Sequence, residues 1–316
     1  MPPYQDRYVR GQVIARGYRE CAARYSLVVR GLGRLRPHSV LDFGAAGGYF
    51  SFRMARELGA AVTAVDDSPE LIRTAKANGD KRVKIVSRRL ALEELTALGC
   101  FDVVLALSVL HHVSPWPDYL RALRRAARRL LIVELPDPTE KFARALDPAE
   151  LAAMHEQVRA MGGRPLGAAP GVWSRERSRG LYALRPAALH GLVFSGSGRC
   201  GSWWEALVGP LETVLGYRPI PGSLNLRLDP PDSARELLGP PRRKYWDRRR
   251  PRWGKKGGDY WFWPARFGTG SHAIEGHVML PGVRGHGPDC LELVAPIKLR
   301  DAWDLKDGDR LWIKVR

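Results

Sequence analysis

Two polar side chains stand two residues apart in the stretch PGSLNLRL, residues 221–228. Side chains two apart in a β-strand share a face, so Ser223 and Asn225 would present a hydroxyl and an amide carbonyl together. Oxygen ligands of this kind, completed by waters and phosphate oxygens, suit Mg²⁺. The stretch therefore predicts a magnesium site on one face of a strand.

A glycine-rich turn, SGSGRCG at 195–201, follows a short apolar run. Its backbone amides could face an anionic ligand such as a phosphate chain, and a simple hairpin turn is the alternative. Farther along, Glu292 lies inside an apolar strand, where a carboxylate needs a partner or a function. Lys298 and Arg300 follow it and could neutralise phosphates.

A second glycine-rich turn, residues 44–48, lies in the first half of the chain. The pattern around it predicts a βαβ unit, with a strand at 40–43, a helix at 50–58 and a second strand at 61–65. Asp66 ends that second strand about 20 residues after the glycines, where a carboxylate can accept the ribose hydroxyls of a nucleoside. This half therefore predicts a nucleoside-binding doubly wound sheet.

The candidate sites in the two halves of the chain need more than one hydrophobic core to position them. A chain of 316 residues predicts two domains, because single domains usually run to about 100–200 residues. No window approaches the roughly 20 uninterrupted apolar residues of a membrane span, and the N-terminus lacks the apolar region of a secretory signal. We expect a soluble, cytoplasmic protein that does not enter a membrane, with its four widely spaced cysteines reduced.

The formal net charge of +18 favours polyanionic partners without choosing among them. The densest basic segment is RRKYWDRRRPRWGKK, residues 242–256, which interleaves aromatic residues with arginine and lysine. Such a composition suits a mobile arm that contacts RNA, while a solvated insertion loop is the plainer interpretation.

After residue 186 the pattern changes to short β-like runs separated by glycine and proline. Helical periodicity almost vanishes, apart from one helix predicted at 203–216. Many short strands with turns between them indicate a small barrel or sandwich.

The first half resembles class I S-adenosylmethionine-dependent methyltransferases. The motif LDFGAAGG supplies Asp42, Gly44 and Gly48, and FDVVLALSVLHHV, residues 101–113, resembles the fourth strand and its exit. The resemblance implies an α/β Rossmann-like domain with a seven-stranded sheet over 1–187. It also implies S-adenosylmethionine as cofactor, and it places these residues around it: Asp42, Gly44, Gly48, Asp66, Leu107 and Ser108. His111 and His112 would face the substrate, while Ala46, Arg88 and Arg89 depart from the usual pattern.

The second half resembles the archaeal CTP-dependent riboflavin kinases. The motifs are GLVFSGSGRCG, LGYRPIPGSLNLRLD, YWFWPARFG, VMLPG and DCLELVAPIKLRDAWDLKDGDRLWI, in the family's order. The resemblance implies a six-stranded barrel over 188–316 that transfers the γ-phosphate of CTP to the 5′-hydroxyl of riboflavin, giving FMN and CDP.

The same resemblance assigns roles to individual residues. Mg²⁺ would be held by Ser223 and Asn225. Glu292 would contact the flavin and act as base, and Arg284 stands at a second flavin-contacting position. CTP would be bound by Gly196, Ser197, Gly198, Arg199, Cys200, Gly201, Ile297, Lys298, Leu299 and Arg300. Cys200 and Arg284 depart from the family's usual residues.

Three functions remain open from the sequence. One is a bifunctional chain with a kinase domain behind a methyltransferase-like domain of unknown acceptor. Another is an RNA-binding or RNA-methylating protein whose barrel is a basic module without kinase activity. A third is a kinase whose first domain binds S-adenosylmethionine as a regulator.

Overall fold

The computed structural model describes residues 2–140, 147–171, 178–186, 188–196, 201–229, 234–238, 241, 243–247, 258–281 and 287–315. The chain divides into two compact units, Met1–Pro186 and Ala187–Arg316. Each unit has its own buried apolar clusters. None of the helices in the described ranges combines the length and apolar character needed to cross a membrane.

The first unit alternates strands and helices along the chain. Its elements are β1 (Arg7–Val9), β2 (Gln12–Ala15), α1 (Cys21–Leu32), β3 (Ser39–Phe43), α2 (Tyr49–Leu58), β4 (Ala61–Val65), α3 (Pro69–Asn78), β5 (Val83–Val86), α4 (Leu92–Ala97), β6 (Phe101–Leu107), a 3₁₀ turn (Leu110–His112), α5 (Trp116–Ala126), β7 (Ala127–Leu135), α6 (Pro148–Ala160), β8 (Arg164–Pro170) and β9 (Ser178–Leu184).

Seven of these strands form one sheet in the order β5-β4-β3-β6-β7-β9-β8. Strands β3 to β7 are parallel, and β9 runs antiparallel to both β7 and β8. The strand order reverses between β3 and β6, which opens a crevice at their carboxyl ends, where doubly wound sheets bind ligands. The predicted Rossmann-like sheet of seven strands is confirmed.

Alternating side chains of the central strands pack into two hydrophobic cores, one on each face of the sheet. Val40 packs in the cluster under α1 and α2, whereas its neighbour Leu41 packs in the cluster under α5 and α6. Strand β6 is buried along its whole length, as expected for a strand covered on both faces. The βαβ unit predicted at 40–65 is also confirmed, since β3, α2 and β4 fall within one residue of the predicted bounds.

The second unit is mostly β. Its elements are β10 (Leu189–Phe194), α7 (Gly201–Leu215), β11 (Leu224–Leu228), α8 (Ala234–Leu238), β12 (Arg243–Asp247), β13 (Gly258–Thr269), β14 (His272–Pro281), β15 (Cys290–Val294), α9 (Leu299–Ala302) and β16 (Arg310–Val315).

Six strands close into an antiparallel barrel in the order β13-β14-β15-β11-β10-β16, with β16 pairing back onto β13. Alternate side chains fill the interior, among them Leu224, Leu226, Trp263, Leu293 and Ile313. The intervening residues therefore point outward, and on β11 these include Asn225. The predicted six-stranded barrel is confirmed.

Two details differ from the sequence expectation. Part of the basic segment is a strand, because β12 pairs with β13 from Arg243 opposite Phe262 to Asp247 opposite Gly258. Tyrosine and tryptophan favour extended backbone, which outweighs the segment's loop-like charge. Two short helices, α8 and α9, accompany the predicted α7, since a single helical turn leaves no periodicity to detect.

Candidate functional site

The glycine turn of the first unit connects β3 to α2 at the carboxyl end of the central strand. Gly44 and Gly48 have φ values of +81° and +80°, in the left-handed region that glycine favours. A Cβ at Gly44 would lie 2.6 Å from the Cβ of Val109. A Cβ at Gly48 would lie 2.8 Å from Cε2 of Phe52. The backbone conformation and the packing of the turn itself therefore favour glycine at both positions.

Asp66 links this turn to the start of α3. Its Oδ2 accepts a hydrogen bond from the amide of Ala46 at 2.8 Å, and its Oδ1 accepts one from the amide of Ser68 at 2.8 Å. Each carboxylate oxygen keeps a second lone pair, so the group is held in place and can still accept hydroxyl donors. Ala46 itself adopts φ +51°, an uncommon conformation for a residue with a Cβ.

Asp42 is buried beneath the turn, near the carboxyl end of β3. Its Oδ2 accepts a hydrogen bond from Ser51 Oγ at 2.5 Å, and within the described residues its Oδ1 has no partner. Burial raises the pKa of Asp42 to about 6, with Ser51 opposing the rise and Asp66 adding to it. Asp42 therefore sits where a ligand donor to Oδ1 would be favourable.

The exit of β6 is tied to the neighbouring strand β7. Leu107 packs in the core, and Ser108 adopts φ +59°. The amide of Ser108 donates to the carbonyl of Glu134 at 3.1 Å, and its hydroxyl donates to the Glu134 carboxylate. Leu107 is also paired with Glu134 in the register of β6 and β7, so both predicted cofactor-side residues meet a buried acid that the sequence analysis did not single out.

Glu134 also receives two arginines from the N-terminal part of the chain. Arg24 forms a two-point contact, Nε to Oε1 at 3.0 Å and Nη2 to Oε2 at 2.5 Å, while Arg19 Nη2 donates to Oε1 at 2.7 Å. All three side chains are no more than 1% exposed. Burial works against the ionised carboxylate, yet Arg24 and Arg19 hold the pKa of Glu134 at about 2. Arg19 Nε and Arg24 Nη1 have no partner within the described part of the chain.

His111 and His112 lie in the 3₁₀ turn after β6, with ring centroids 4.0 Å apart. Burial, the neighbouring His112 and the charge of Arg179 lower the pKa of His111 to about 2. Burial followed by Arg179 also lowers the pKa of His112. Both rings are therefore neutral at neutral pH. Arg88 and Arg89, which differ from the usual methyltransferase pattern, form surface ion pairs with Glu94 and Asp67 respectively.

In the second unit, the register places four outward-facing residues side by side across four strands. Phe194 on β10 is opposite Asn225 on β11, Asn225 is opposite Glu292 on β15, and Glu292 is opposite Met279 on β14. Residues directly opposite in a sheet have Cβ atoms about 4.5–5.5 Å apart. The predicted metal ligand and the predicted base are therefore cross-strand neighbours.

Ser223, just before β11, joins this face. Its hydroxyl donates a hydrogen bond to Oε2 of Glu292. A serine that donates its proton to a carboxylate keeps its oxygen lone pairs available to a cation. The structure therefore brings together Ser223, Asn225 and Glu292, and their roles stay predictions.

The described start of the second glycine turn abuts the same face. A Cβ at Gly196 would lie 2.3 Å from Nδ2 of Asn225, so a larger residue at position 196 would displace that amide. Gly201 begins α7. The predicted nucleotide ligands Ser197, Gly198, Arg199 and Cys200, and the predicted flavin contact Arg284, lie outside the described residues, as does most of the basic segment 242–256.

The segment 297–300 reaches the turn through Asp307. Arg300 Nη2 donates to Asp307 Oδ1 at 2.6 Å, and Asp307 Oδ2 accepts the amide of Ser195 at 2.8 Å. The hydrogen bond from Arg300, followed by that from the Ser195 amide, lowers the pKa of Asp307. Lys298 Nζ lies 2.9 Å from Asp301 Oδ2, Leu299 is buried at the start of α9, and Ile297 is 39% exposed.

Sequence reasoning missed Asp307, which lies in a turn that looks ordinary, and it missed the cluster of Arg19, Arg24 and Glu134. Glu134 did carry a signal, because it stands near the end of the apolar run RLLIVEL just as Glu292 stands inside CLELV. The arginines carried none, since they are remote in sequence from the strands that they meet.

Comparison with known families assigns each unit separately. A family model named for CTP-dependent riboflavin kinase, and described as a domain of unknown function, DUF120, matches residues 193–315. A model described as a methyltransferase domain matches residues 40–131.

A riboflavin kinase from Ignicoccus hospitalis is 33% identical over 134 residues, which cover 42% of this chain and 72% of that protein. The chain belongs to the riboflavin kinase family. A riboflavin kinase from Pyrobaculum aerophilum is 36% identical over 149 residues, which cover 42% of this chain and 63% of that one. The chain therefore spans somewhat less than two thirds of the Pyrobaculum relative.

The methyltransferase likeness is found among curated and solved proteins. A ubiquinone biosynthesis O-methyltransferase from Xanthomonas oryzae is 38% identical over 123 residues, covering 36% of this chain and 50% of that protein. The bifunctional kinase-methyltransferase WbdD is 26% identical, covering 54% of this chain and 41% of that chain, with a TM-score of 0.44. The first unit is therefore similar in sequence to methyltransferases, while the family shown for the chain is that of the riboflavin kinases.

Proposed function

We propose that the second unit is a CTP-dependent riboflavin kinase that converts riboflavin and CTP to FMN and CDP. One observation carries the proposal: Ser223, Asn225 and Glu292 share one outer face of the barrel, against the glycine turn that begins at Gly196. The family match over 193–315 supports the choice of CTP and riboflavin as substrates.

The donor set of this face fits Mg²⁺. Ser223 and Asn225 offer a hydroxyl and an amide oxygen, and magnesium in phosphate-transfer sites typically has few protein ligands, with waters and phosphates completing its shell. Consistent with this, the described residues contain no cluster of three or more His, Cys, Asp or Glu that could hold a metal by itself. When bound, the ion would neutralise charge on the phosphates.

The chemical step requires positioning more than covalent help. The 5′-hydroxyl oxygen of riboflavin bonds to the γ-phosphorus as the bond from that phosphorus to the bridging β,γ-oxygen breaks, and CDP leaves with the electron pair. Glu292, placed beside both candidate metal ligands, would take the hydroxyl proton. Arg300 and Lys298 would offset the charge of the nucleotide phosphates.

The test is product formation by the full-length protein. With riboflavin, Mg²⁺ and CTP, chromatography should detect FMN, and replacing CTP by ATP or removing the metal with EDTA should reduce its formation at least about 100-fold. Equal rates with ATP would reject the assignment of CTP. No FMN under any condition would favour the alternative of a basic binding module.

We further propose that the first unit binds S-adenosylmethionine and transfers its methyl group to an acceptor. Asp66 would accept the ribose hydroxyls, the turn from Gly44 to Gly48 would approach the cofactor closely, and Leu107 and Ser108 would line its far side. Arg24 Nη1 and Arg19 Nε, which have no partner among the described residues, suit the cofactor's carboxylate. Because the sulfonium is already activated, proximity supplies most of the catalysis and no strong base is needed, in keeping with two histidines whose lowered pKa values make them weak bases.

Calorimetric titration of the full-length protein with S-adenosylhomocysteine tests the cofactor site. We expect saturable one-to-one binding, and no heat of binding would reject the proposal. Binding without transfer to any acceptor would instead support the regulatory alternative.

A further inference from the structure

Asp307 joins the two segments that would hold the nucleotide. Its Oδ2 accepts the amide of Ser195, and its Oδ1 accepts both the hydroxyl of Ser195 at 3.0 Å and Nη2 of Arg300 at 2.6 Å. Ser195 directly precedes Gly196, and Arg300 ends the segment 297–300. A single carboxylate thus ties the start of the glycine turn to the basic segment.

The turn that carries Asp307 is itself fixed to the barrel. The amide of Gly308 donates to the carbonyl of Val193 at 2.8 Å, and the amide of Val193 donates to the carbonyl of Asp309 at 2.8 Å. Lys306 donates its amide to Asp309 Oδ2 at 2.7 Å. Asp307 is therefore held on a rigid base while its side chain reaches the site.

The contacts of Arg300 leave donors for a ligand. Its Nη2 contacts Asp307 and, at 3.4 Å, Ser195 Oγ, while its Nη1 donates to the carbonyl of Leu305 at 3.3 Å. These three contacts use three of the five N–H donors of a guanidinium. Among the described residues, Arg300 is oriented by Asp307 and Leu305, and these contacts do not use all of its donors.

We propose that Asp307 is a positioning residue of the kinase, which sets Arg300 and the Ser195–Gly196 backbone in the geometry that binds the CTP phosphates. This inference rests on the proposed kinase function. Asp307 acts through its neighbours, because its own negative charge would repel phosphate. Its side chain is 51% exposed, and exposed ion pairs add little to folding stability, so its main effect is on geometry.

The experiment compares the full-length wild type with Asp307→Ala, Asp307→Asn and the control Asp229→Ala. Asp229 is also a partly exposed acid paired with an arginine of the same barrel, Arg310, at 3.3 Å. For Asp307→Ala we expect the KM for CTP and the Kd for CDP to rise about tenfold, with kcat and the KM for riboflavin within about twofold of wild type. For Asp307→Asn, the KM for CTP and the Kd for CDP should lie between those of wild type and Asp307→Ala. For Asp229→Ala, both values should match those of wild type.

A double variant adds a test of the mechanism. Arg300→Gln combined with Asp307→Ala should lose less CDP affinity than the losses of the two single variants added together, because the aspartate acts partly through that arginine. Additive losses would contradict this.

Several results would overturn the inference. An unchanged KM for CTP in active Asp307→Ala would do so, as would an equal rise in both KM values with a lowered Tm, which indicates a merely structural role. If the wild type forms no FMN, the kinase proposal itself fails. The CDP titration then still decides, because equal affinity of wild type and Asp307→Ala, or no binding by either, excludes the positioning role.

Discussion

At the scale of single residues, the second unit depends on the contact between Gly196 and Asn225. Any side chain at position 196 would overlap the amide of Asn225, since its Cβ would lie 2.3 Å from Nδ2. Asn225 would have to turn away, and turning would move the amide oxygen that we propose as a ligand of Mg²⁺. We therefore expect a substitution at position 196 to reduce activity more than it reduces folding stability.

We expect Gly196→Ala to lower the rate of CTP-dependent FMN formation at least about tenfold, with Tm changed by no more than about 4 °C. The matched control is Gly209→Ala, because a Cβ at that exposed helical glycine meets nothing within 4 Å. The control should retain activity and gain up to about 1 kcal/mol of stability. Full activity of Gly196→Ala would show that Asn225 does not need its present orientation.

The sequence was sufficient to pair Ser223 with Asn225 and to single out Glu292, because strand alternation and a lone acid in an apolar run are local signals. It was not sufficient for Asp307, whose partners Ser195 and Arg300 come from other parts of the barrel. Nothing in the local sequence LKDGD indicates that its first aspartate contacts Ser195 and Arg300. The roles of these residues in catalysis stay predictions.

At the scale of elements, strand β7 and helix α1 are joined by the buried carboxylate of Glu134. Arg24 and Arg19 hold its pKa at about 2 against the effect of burial, well below the value near 4.3 of an unfolded glutamate. A carboxyl whose pKa is depressed in the folded state stabilises the fold above its unfolded pKa. That stabilisation is lost as the pH falls from about 4.3 towards 2.

We therefore expect Glu134→Gln to destabilise the protein by about 3–5 kcal/mol at pH 7, because two buried guanidinium groups lose their counter-ion. Calorimetric unfolding should show the difference from wild type shrinking as the pH is lowered from about 4.3 towards 2. Glu212→Gln, which alters an exposed pair with Arg218, should change stability by less than about 0.5 kcal/mol. If the stability difference between wild type and Glu134→Gln stayed constant across this pH range, Glu134 would not be ionised in the folded protein.

Helices and strands whose apolar residues recur with a clear period were predictable from the sequence. Strand β3, helix α2 and strand β4 follow the apolar pattern closely. Strand β12 was not, because its sequence is dominated by charge while its pairing with β13 supplies the stabilisation. Tertiary pairing of this kind overrides local composition.

At the scale of the whole molecule, the two units carry separate sets of site residues. Asp66 belongs to the first unit, whereas Ser223, Asn225 and Glu292 belong to the second. The sequence predicted two domains from length and from the change of pattern after residue 186. The net charge of +18 left the partner open between nucleotides and RNA.

We expect Asp66→Asn to weaken binding of S-adenosylhomocysteine at least about tenfold, because the amide can no longer accept at both oxygens. The rate of FMN formation should stay within about twofold of wild type. Asp67→Asn, a change in the neighbouring exposed acid that pairs with Arg89, should affect neither. Unchanged binding in Asp66→Asn would remove Asp66 from the cofactor site.

The most direct test of the kinase assignment is the rate of FMN formation from riboflavin, CTP and Mg²⁺ by wild type and by Asn225→Ala. Asn225→Ala removes the amide oxygen from the outer face, and we predict a loss of at least about 1000-fold with an unchanged Tm. Asn225→Asp, which restores an oxygen ligand, should recover part of the rate at raised Mg²⁺ concentration. Turnover by Asn225→Ala at the wild-type rate would contradict the account.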